Sequence, residues 1–428
     1  MVSSSEMKQE KQRQFIPKLR FPEFLEKGNW SRKFGNEVFE QINNKQYNSN
    51  LPLLAITQEY GAIPRDAIDY QVSVTQKSIE SYKVIEVGDF IISLRSFQGG
   101  IEYSRYRGIC SPAYIILRIK GVDFEAYFKH FFKTDRFIKD LNKNIEGLRD
   151  GKMVSFKQFS ELLLPIPSLP EQQKISDCLT SLDELITAES LKLNLLKTHK
   201  NGLMKQLFPA EGETLPQLRF PEFRNAPEWV ATHIGEKIDL LTGYPFGGED
   251  ISENSSGVRL LRGINITEGQ IRHHQDIDRY FLGKTEKLEK YKVKNNDLVI
   301  GMDGSKVGKN VALITPSNSG ALLVQRVARL RASNPYLIKI IYQQINSKVF
   351  HSYVDKINTS SGIPHISAQQ IIDFRVCIPS TNEQRKIVDC LSTLDDMITA
   401  SGQKIESLKF FKKGLMQQLF PHPDEVQL

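Results

Sequence analysis

The sequence has few cysteines and scattered histidines, which excludes two common kinds of structural site. The four cysteines among 428 residues are Cys110, Cys178, Cys377 and Cys390. None belongs to a Cys-x-x-Cys pair, so their spacing implies neither a zinc site nor a disulfide framework. Of the eight histidines, only His273 and His274 are adjacent, and they lack further ligands at useful spacing. We therefore expect no metal site.

Long apolar runs are also missing. No stretch approaches the ~18 residues that a helix needs to cross a bilayer. The polar start from Met1 to Gln14 lacks the apolar core of a signal peptide. We therefore expect a cytoplasmic protein that has no membrane partner.

Charge of one sign is only slightly in excess. Lys and Arg number 57 and Asp and Glu 50, which gives a net charge of +7. This balance favours an anionic partner such as nucleic acid, although many basic proteins bind none. The 25% charged and 40% hydrophobic residues are typical of globular proteins, and a chain of this length suits about two to four domains.

What the chain does have is an internal repeat. Residues 166–209 return as residues 378–421, and 26 of the 44 positions are identical. A second repeat precedes each domain, because the string Leu-Arg-Phe-Pro-Glu-Phe begins at Leu19 and again at Leu218. Trp30 and Trp229 follow these strings and are expected in the cores. Repeats at fixed positions predict one architecture used twice.

The repeats divide the chain into domains that alternate with repeated segments. The predicted parts are an N-terminal extension (1–16), a first domain (17–165), a first repeat helix (166–209), a second domain (210–377), a second repeat helix (378–421) and a tail (422–428). The two domains share little identity, but an acidic residue, Asp89 or Asp297, precedes an apolar strand in each. Leu53 likewise corresponds to Leu260. We predict an α+β fold in which two domains share one scaffold and differ in their surfaces.

Each repeated segment has the apolar spacing of a coiled-coil helix, alternating four and three residues. The seam residues are Ile175, Leu179, Leu182, Ile186, Leu193 and Leu196 in the first segment, and Ile387, Leu391, Leu394, Ile398, Ile405 and Leu408 in the second. Polar residues interrupt both seams at equivalent places, Glu189 with Ser401 and Lys200 with Lys412. About 35 residues at ~1.5 Å each make a rod of roughly 50 Å. We expect the two helices to pair antiparallel with pseudo-twofold symmetry; a dimerisation zipper or a simple spacer remains open.

No catalytic motif is complete in the sequence. Asn334-Pro335-Tyr336 lacks the second proline of an amino-methyltransferase motif. Gly304 and the Gly308-Lys309 pair are one residue too close for a phosphate-binding loop, and Asn310 replaces its required Ser or Thr. The charges at Glu286, Glu289 and Lys290 suit a solvated helical face. We therefore expect no catalytic residue and no cofactor bound by this chain.

The duplicated motifs resemble those of a known family. The Ile-Pro-x-x-x-Glu-Gln start, the Gly-Leu-Met-x-Gln-Leu-Phe-Pro close at 202–209 and 414–421, and the Leu-Arg-Phe-Pro-Glu-Phe strings are similar to those of specificity subunits of type I restriction-modification enzymes. The resemblance implies two target recognition domains that read a split, asymmetric sequence in double-stranded DNA, with the helices setting the gap. It also implies two methyltransferase subunits that bring S-adenosylmethionine, and nuclease-translocase subunits that use ATP and Mg²⁺. A stand-alone DNA-binding or coiled-coil scaffold protein is the alternative.

Polar and basic loop residues are the candidates for DNA contacts, because cations neutralise phosphates and Arg, Lys, Asn and Gln recognise base edges. In the first domain they are Lys45, Gln46, Tyr47, Gln58, Tyr60, Arg95, Gln98, Arg105, Arg107, Arg149 and Lys152. In the second they are Tyr244, Arg262, Asn265, Arg272, His273, His274, Ser305, Lys306 and Lys309. The loops that follow Asp89 and Asp297 are favoured, since alignment sets Gly100 against Gly308 with different polar residues between. Glycine there would allow close approach of the backbone to DNA.

Overall fold

A computed structural model describes residues 16–46, 50–67, 81–121, 124–143, 154–358 and 363–421. The chain divides into two compact units. The first unit contains Met1–Leu191 together with Gly402–Leu428, and the second unit contains Lys192–Ser401. Each unit thus combines one predicted domain with parts of both repeated segments.

The first unit is built on a four-stranded antiparallel sheet. The strands of this unit are β1 Ser31–Phe34, β2 Phe39–Ile42, β3 Leu54–Thr57, β4 Gly61–Pro64, β5 Lys83–Ile85, β6 Phe90–Ile92, β7 Glu102–Tyr103, β8 Gly108–Cys110, β9 Ile115–Ile119 and β10 Leu163–Ile166. The central sheet has the order β2-β9-β6-β7, and β1–β10, β3–β4 and β5–β8 form two-stranded sheets.

The second unit repeats this plan. Its strands are β11 Val230–His233, β12 Asp239–Thr242, β13 Val258–Leu261, β14 Ile266–Thr267, β15 Gln270–Ile271, β16 Arg279–Phe281, β17 Leu298–Gly301, β18 Val311–Leu313, β19 Leu322–Leu323, β20 Val327–Arg331 and β21 Arg375–Ile378. The order β12-β20-β17-β18 matches the central sheet of the first unit. Leu53 bridges Ile109 in parallel, and Leu260 pairs with Leu322 in parallel, so the predicted alignment of Leu53 with Leu260 is confirmed.

Short helices cover the sheets, and two long helices carry the repeated segments. The helices are α1 Gly35–Val38, α2 Ser96–Gly99, α3 Glu125–Phe131, α4 Asp135–Lys143, α5 Phe156–Ser160, α6 Leu169–Leu207, α7 Pro335–Ile345, α8 Lys348–Ile357, α9 Ala368–Ile372 and α10 Thr381–Leu419. The predicted α+β class is confirmed. The first residues of each repeated segment are not helical, however: Ile166 and Ile378 end strands, because a following proline disfavours the helical conformation.

An aromatic cluster forms the core of the first unit. Phe39 lies at its centre, with ring centroids 5.6 Å from Phe90, 5.0 Å from Phe128 and 5.6 Å from Phe159. All four side chains are fully buried. Edge-to-face contacts of this kind add to the stabilisation from burial, and they hold β2 and β6 of the sheet against α3 and α5.

The repeated helices run antiparallel inside each unit. In the first unit, Lys412 and Lys404 of α10 bind Asp183 and Glu189 of α6, each at 2.5 Å. In the second unit, Lys200 of α6 binds Asp395 of α10 at 2.6 Å. None of the twelve predicted seam residues is exposed. The two lysines that interrupt the seams, Lys200 and Lys412, therefore form equivalent ion pairs, one in each unit.

The two kinds of repeat meet each other. Arg20 of the first Leu-Arg-Phe-Pro-Glu-Phe string donates to Glu171 of α6 at 2.7 and 2.8 Å. Arg219 of the second string donates to Glu383 of α10 at 2.9 and 2.6 Å. These four side chains are buried. The duplicated motifs thus attach each domain to the start of the helix that follows it.

Candidate nucleic-acid interface

One aspartate-arginine pair organises the same place in both sheets. Asp89 accepts from the backbone N–H of Glu86 at 2.8 Å and from Arg118 Nε and Nη2 at 2.7 and 2.8 Å. Asp297 likewise accepts from the backbone N–H of Lys294 and from Arg331, whose Nε and Nη2 lie 2.7 and 2.6 Å away. These hydrogen bonds raise the pKa of both arginines. The pair fixes the start of β6 in the first unit and of β17 in the second. The loops that differ between the units follow the other end of these strands.

Two candidate loops of the first unit are in contact. Gln58, in the turn between β3 and β4, donates through Nε2 to the carbonyl oxygen of Arg95 at 3.2 Å. Tyr60 in the same turn is 62% exposed, and the side chains of Arg95 and Gln98 are exposed. The structure therefore groups these four predicted residues on one surface.

The other candidates of the first unit differ in their surroundings. Lys45 and Gln46 are exposed, and Lys45 lies close to the buried Lys83, whose pKa is lowered first by burial and further by the Lys45 charge. Arg105 is exposed, whereas Arg107 binds Glu86 at 3.1 Å. Three candidates lie outside the described residues: Tyr47, Arg149 and Lys152.

The loop between β17 and β18 exposes three predicted residues of the second unit. Ser305, Lys306 and Lys309 are exposed, and Lys306 binds Glu268 at 3.0 Å. The proposed reason for the glycines in this region is wrong. A Cβ on Gly308 would lie 2.8 Å from Val354, and a Cβ on Gly100 would lie 2.0 Å from the Phe132 carbonyl oxygen. Close internal packing, rather than approach to DNA, requires glycine at both positions.

The prediction that Asn265 contacts DNA is wrong. Its side chain is fully buried, where Nδ2 donates to the Arg272 carbonyl at 3.3 Å and to Asp278 at 3.2 Å. Its Oδ1 accepts from the Arg262 backbone at 3.2 Å. Because a buried amide must satisfy its hydrogen bonds internally, Asn265 shapes this loop. Tyr244 is also a packing residue, since its ring lies 4.9 Å from that of Phe246.

The remaining candidates of the second unit support the loop or lie at its surface. Arg262 donates to the Ile277 carbonyl at 2.8 Å, and burial lowers its pKa. His273 contacts Asp278 at 3.0 Å. Arg272 donates through Nε to a backbone carbonyl at 2.8 Å but is exposed, as is His274. His273 is exposed as well, but Asp278 and Asn318 occupy both of its ring nitrogens. Of these four, Arg272 and His274 are therefore available to a partner.

Sequence reasoning missed a pair of exposed residues, Gln325 and Arg326. They form the tip of the tight turn between β19 and β20. Arg326 is 60% exposed and its Nε lies 3.4 Å from Asp303 of the β17–β18 loop. No periodicity or motif distinguishes these residues, and their position became apparent only from the strand pairing.

Neither a membrane-spanning helix nor a metal-binding cluster is found in the described ranges. In that part of the chain, no helix is long and apolar enough to cross a membrane. No group of three or more His, Cys, Asp or Glu side chains is placed there to hold a metal ion.

Comparison with known proteins gives the family. The model of the type I restriction modification DNA specificity domain matches residues 27–198 and 257–409. The chain belongs to this family. The two matched segments cover most of both domains and most of both long helices, so the family assignment extends over the repeated plan of the chain.

Members of the specificity family are similar to this chain in sequence and fold. The MjaVIII specificity subunit of Methanocaldococcus jannaschii is 23% identical over 356 residues, which cover 81% of each chain. The EcoAI specificity subunit of Escherichia coli is 28% identical over 295 residues, or 68% of this chain and 44% of that one. A crystal structure of an S subunit from M. genitalium has a TM-score of 0.61 at 14% identity, covering 95% of this chain and all of that one. That structure shares the fold.

Proposed function

We propose that this chain is the DNA sequence-specificity subunit of a type I restriction-modification complex. Each unit reads one half of a split, asymmetric target in double-stranded DNA. The observation that carries this proposal is one framework used twice with different loops. Asp89–Arg118 and Asp297–Arg331 occupy the same place in matching sheets, while the exposed residues that follow are Arg95 and Gln98 in one unit and Ser305 and Lys306 in the other.

The chain acts through partners in this proposal. Two methyltransferase subunits supply S-adenosylmethionine-dependent modification of the DNA, and nuclease-translocase subunits supply ATP- and Mg²⁺-dependent cleavage. This chain contributes recognition and no catalytic side chain. The long helices α6 and α10 determine how many unread base pairs separate the two half-sites.

A scaffold that binds no DNA is the second reading, and the loops disfavour it. Attachment of partners alone gives no reason for two domains with one sheet order to present different polar and basic residues. Recognition of two different half-sites does give a reason, because base edges are distinguished by the types of side chain that face them. Family membership points the same way.

Replacement of one domain tests the proposal. Residues Leu215 to Phe374 are exchanged for the equivalent segment of a relative that keeps the Leu-Arg-Phe-Pro-Glu-Phe string, so that the arginine at position 219 can still bind Glu383. The chimaera is produced together with its methyltransferase subunit, and the methylated adenines are mapped by single-molecule sequencing. We expect one half of the motif to change and the other half to remain. The unaltered chain is the control, and a change in both halves would contradict independent reading.

A further inference from the structure

An arginine occupies a turn position that normally requires glycine. The backbone N–H of Val327 donates to the Val324 carbonyl at 3.2 Å and closes a four-residue turn. Arg326 is the third residue of this turn, with a φ of 72°. Turns with a positive φ at the third position favour glycine or asparagine, because a Cβ crowds the backbone there. Asn296 is the other non-glycine residue with positive φ in the described ranges. Strained positions of this kind are concentrated at functional sites.

The backbone of this turn is held on both sides. Tyr244 accepts from the backbone N–H of Gln325 at 2.9 Å, and Met302 donates to the Arg326 carbonyl at 2.9 Å. A Cβ on Gly243 would lie 2.2 Å from the Val324 carbonyl oxygen, so the neighbouring strand fits closely. The Gln325 and Arg326 side chains are exposed. A fixed backbone therefore presents two long polar side chains to solvent.

The first unit has a turn at the equivalent place, but its third residue, Ala113, does not have a positive φ. The backbone N–H of Tyr114 donates to the Ser111 carbonyl at 3.1 Å. Tyr114 lies four residues before Arg118, just as Val327 lies four residues before Arg331. Pro112 and Ala113 therefore stand where the second unit has Gln325 and Arg326. Counting from the shared aspartates, Arg95 of the first unit corresponds to Asp303 of the second. The first unit thus has its arginine in the loop between β6 and β7, whereas the second unit has an arginine in the turn between β19 and β20.

Asp303 orients Arg326 without enclosing it. The Asp303 carboxylate accepts from His365 at 2.5 Å and lies 3.4 Å from Arg326 Nε. Arg326 keeps 60% of its side chain exposed in this arrangement. The contact aligns one edge of the guanidinium and leaves its remaining donors available to a ligand.

We propose that Gln325 and Arg326 are specificity-determining residues of the second unit. This inference rests on the proposed function. Arg326 donates two hydrogen bonds to the O6 and N7 acceptors of a guanine, and Gln325 pairs with the N6 and N7 groups of an adenine, in the major groove. Asp303 is a positioning residue for Arg326. The first unit uses Arg95 for the same purpose and has no long side chain at Pro112 or Ala113.

The test uses the full chain assembled with its methyltransferase subunits. The methylated motif of the unaltered complex is mapped first, and binding is then compared among duplexes that differ at single base pairs of each half-site. Arg326→Gly removes the side chain and also relieves the crowded backbone, so this variant should fold at least as well as the original. Ala113→Gly is the matched control at the equivalent turn of the first unit.

We expect Arg326→Gly to reduce discrimination at one G·C pair of one half-site by roughly 5- to 150-fold, with the other half unchanged. Gln325→Ala should do the same at a neighbouring A·T pair, and Ala113→Gly should change neither. An equal loss of binding affinity on all duplexes, together with a slope of log affinity against log salt that is smaller by about one, would identify a phosphate contact. That outcome would overturn the proposal. Unchanged preference would overturn it as well. Absence of any split motif with the unaltered complex would instead contradict the proposed function.

Discussion

Arg219 and Glu383 form a two-point ion pair, with Nε and Nη2 lying 2.9 and 2.6 Å from the two carboxylate oxygens. The guanidinium also donates to the Ala226 carbonyl at 2.8 Å. Only 7% of the arginine side chain and 1% of the glutamate side chain are exposed. This pair connects the start of the second domain to the start of α10.

Removal of one partner should therefore destabilise the second unit. Glu383→Ala leaves a buried guanidinium without its counter-ion, and we expect the free energy of unfolding to fall by about 3–5 kcal/mol. Denaturant unfolding followed by circular dichroism measures the loss. The double variant Arg219→Met with Glu383→Met should be close to the original protein, because two apolar side chains need no partner. A single variant that loses less than about 1 kcal/mol would show that water replaces the carboxylate.

The first unit should be sensitive to acid through His130. Its ring is 2% exposed, and Nε2 lies 3.2 Å from the Thr180 hydroxyl. Burial first, and then the charges of Lys412, Lys129 and Arg105, lower its pKa to about 2. Asp183 is 3.9 Å from Nδ1, but that carboxylate already binds Lys412 at 2.5 Å, so we expect the ring to stay neutral.

The sign of the effect follows from these pKa values. An unfolded histidine takes up a proton as the pH falls through about 6.5, whereas folded His130 does not. The contribution of neutral His130 to the free energy of unfolding is fully present above that pH. It decreases by about 1.4 kcal/mol per pH unit below it. We expect a loss of about 2 kcal/mol in the free energy of unfolding at pH 5. His130→Gln should remove this part of the pH dependence, and an identical pH profile for both proteins would show that His130 is protonated when folded.

The purified chain should bind DNA without modifying it. Because Lys and Arg contacts to phosphate release counterions, the affinity should fall steeply as salt rises. Titration of a fluorescent duplex at several salt concentrations measures the slope, and incubation with labelled S-adenosylmethionine measures methyl transfer. Methylation of DNA by the pure chain would contradict the proposed division of labour.

The long helices should act as a ruler. Inserting one heptad between Thr187 and Leu193 and another between Thr399 and Ile405 keeps the four-three spacing and adds ~10 Å to each helix. This length equals about three base pairs of unread DNA at ~3.4 Å each, although the twist of the duplex also turns one half-site. The methylated motif of the double insertion should have a longer gap, or the original target should be lost. Full activity on the original target with an unchanged gap would show that the helices do not set the spacing.

The parts of the fold that repeat or have a period could be predicted from the sequence. The seam residues recur every three or four positions, and the predicted match of Leu53 with Leu260 needed only one strand pattern found twice. The junction of Arg20 with Glu171 could not be predicted, because the two residues lie 151 positions apart and no local pattern connects them. Both motifs were recognised, but their contact was not.

The candidate site was predictable at the level of loops and not of side chains. Asn265 has the chemistry of a DNA-reading residue, but it is buried because its amide satisfies three groups of its own loop. The positive φ of Arg326 has no signature in residue type, since arginine rarely adopts it. Local composition does not encode which polar groups find partners in the folded chain.

The first unit takes part of its core from residues more than 200 positions further along the chain. Phe420 lies 5.5 Å from Tyr127 between ring centroids, and the backbone of Gln418 accepts from Leu19 at 3.0 Å. On the ribosome, the second unit is complete once Ser401 has been made, because Lys192–Ser401 is one continuous stretch. The N-terminal domain must wait for the last turns of α10. The half of the protein that is synthesised first is therefore the half that finishes folding last.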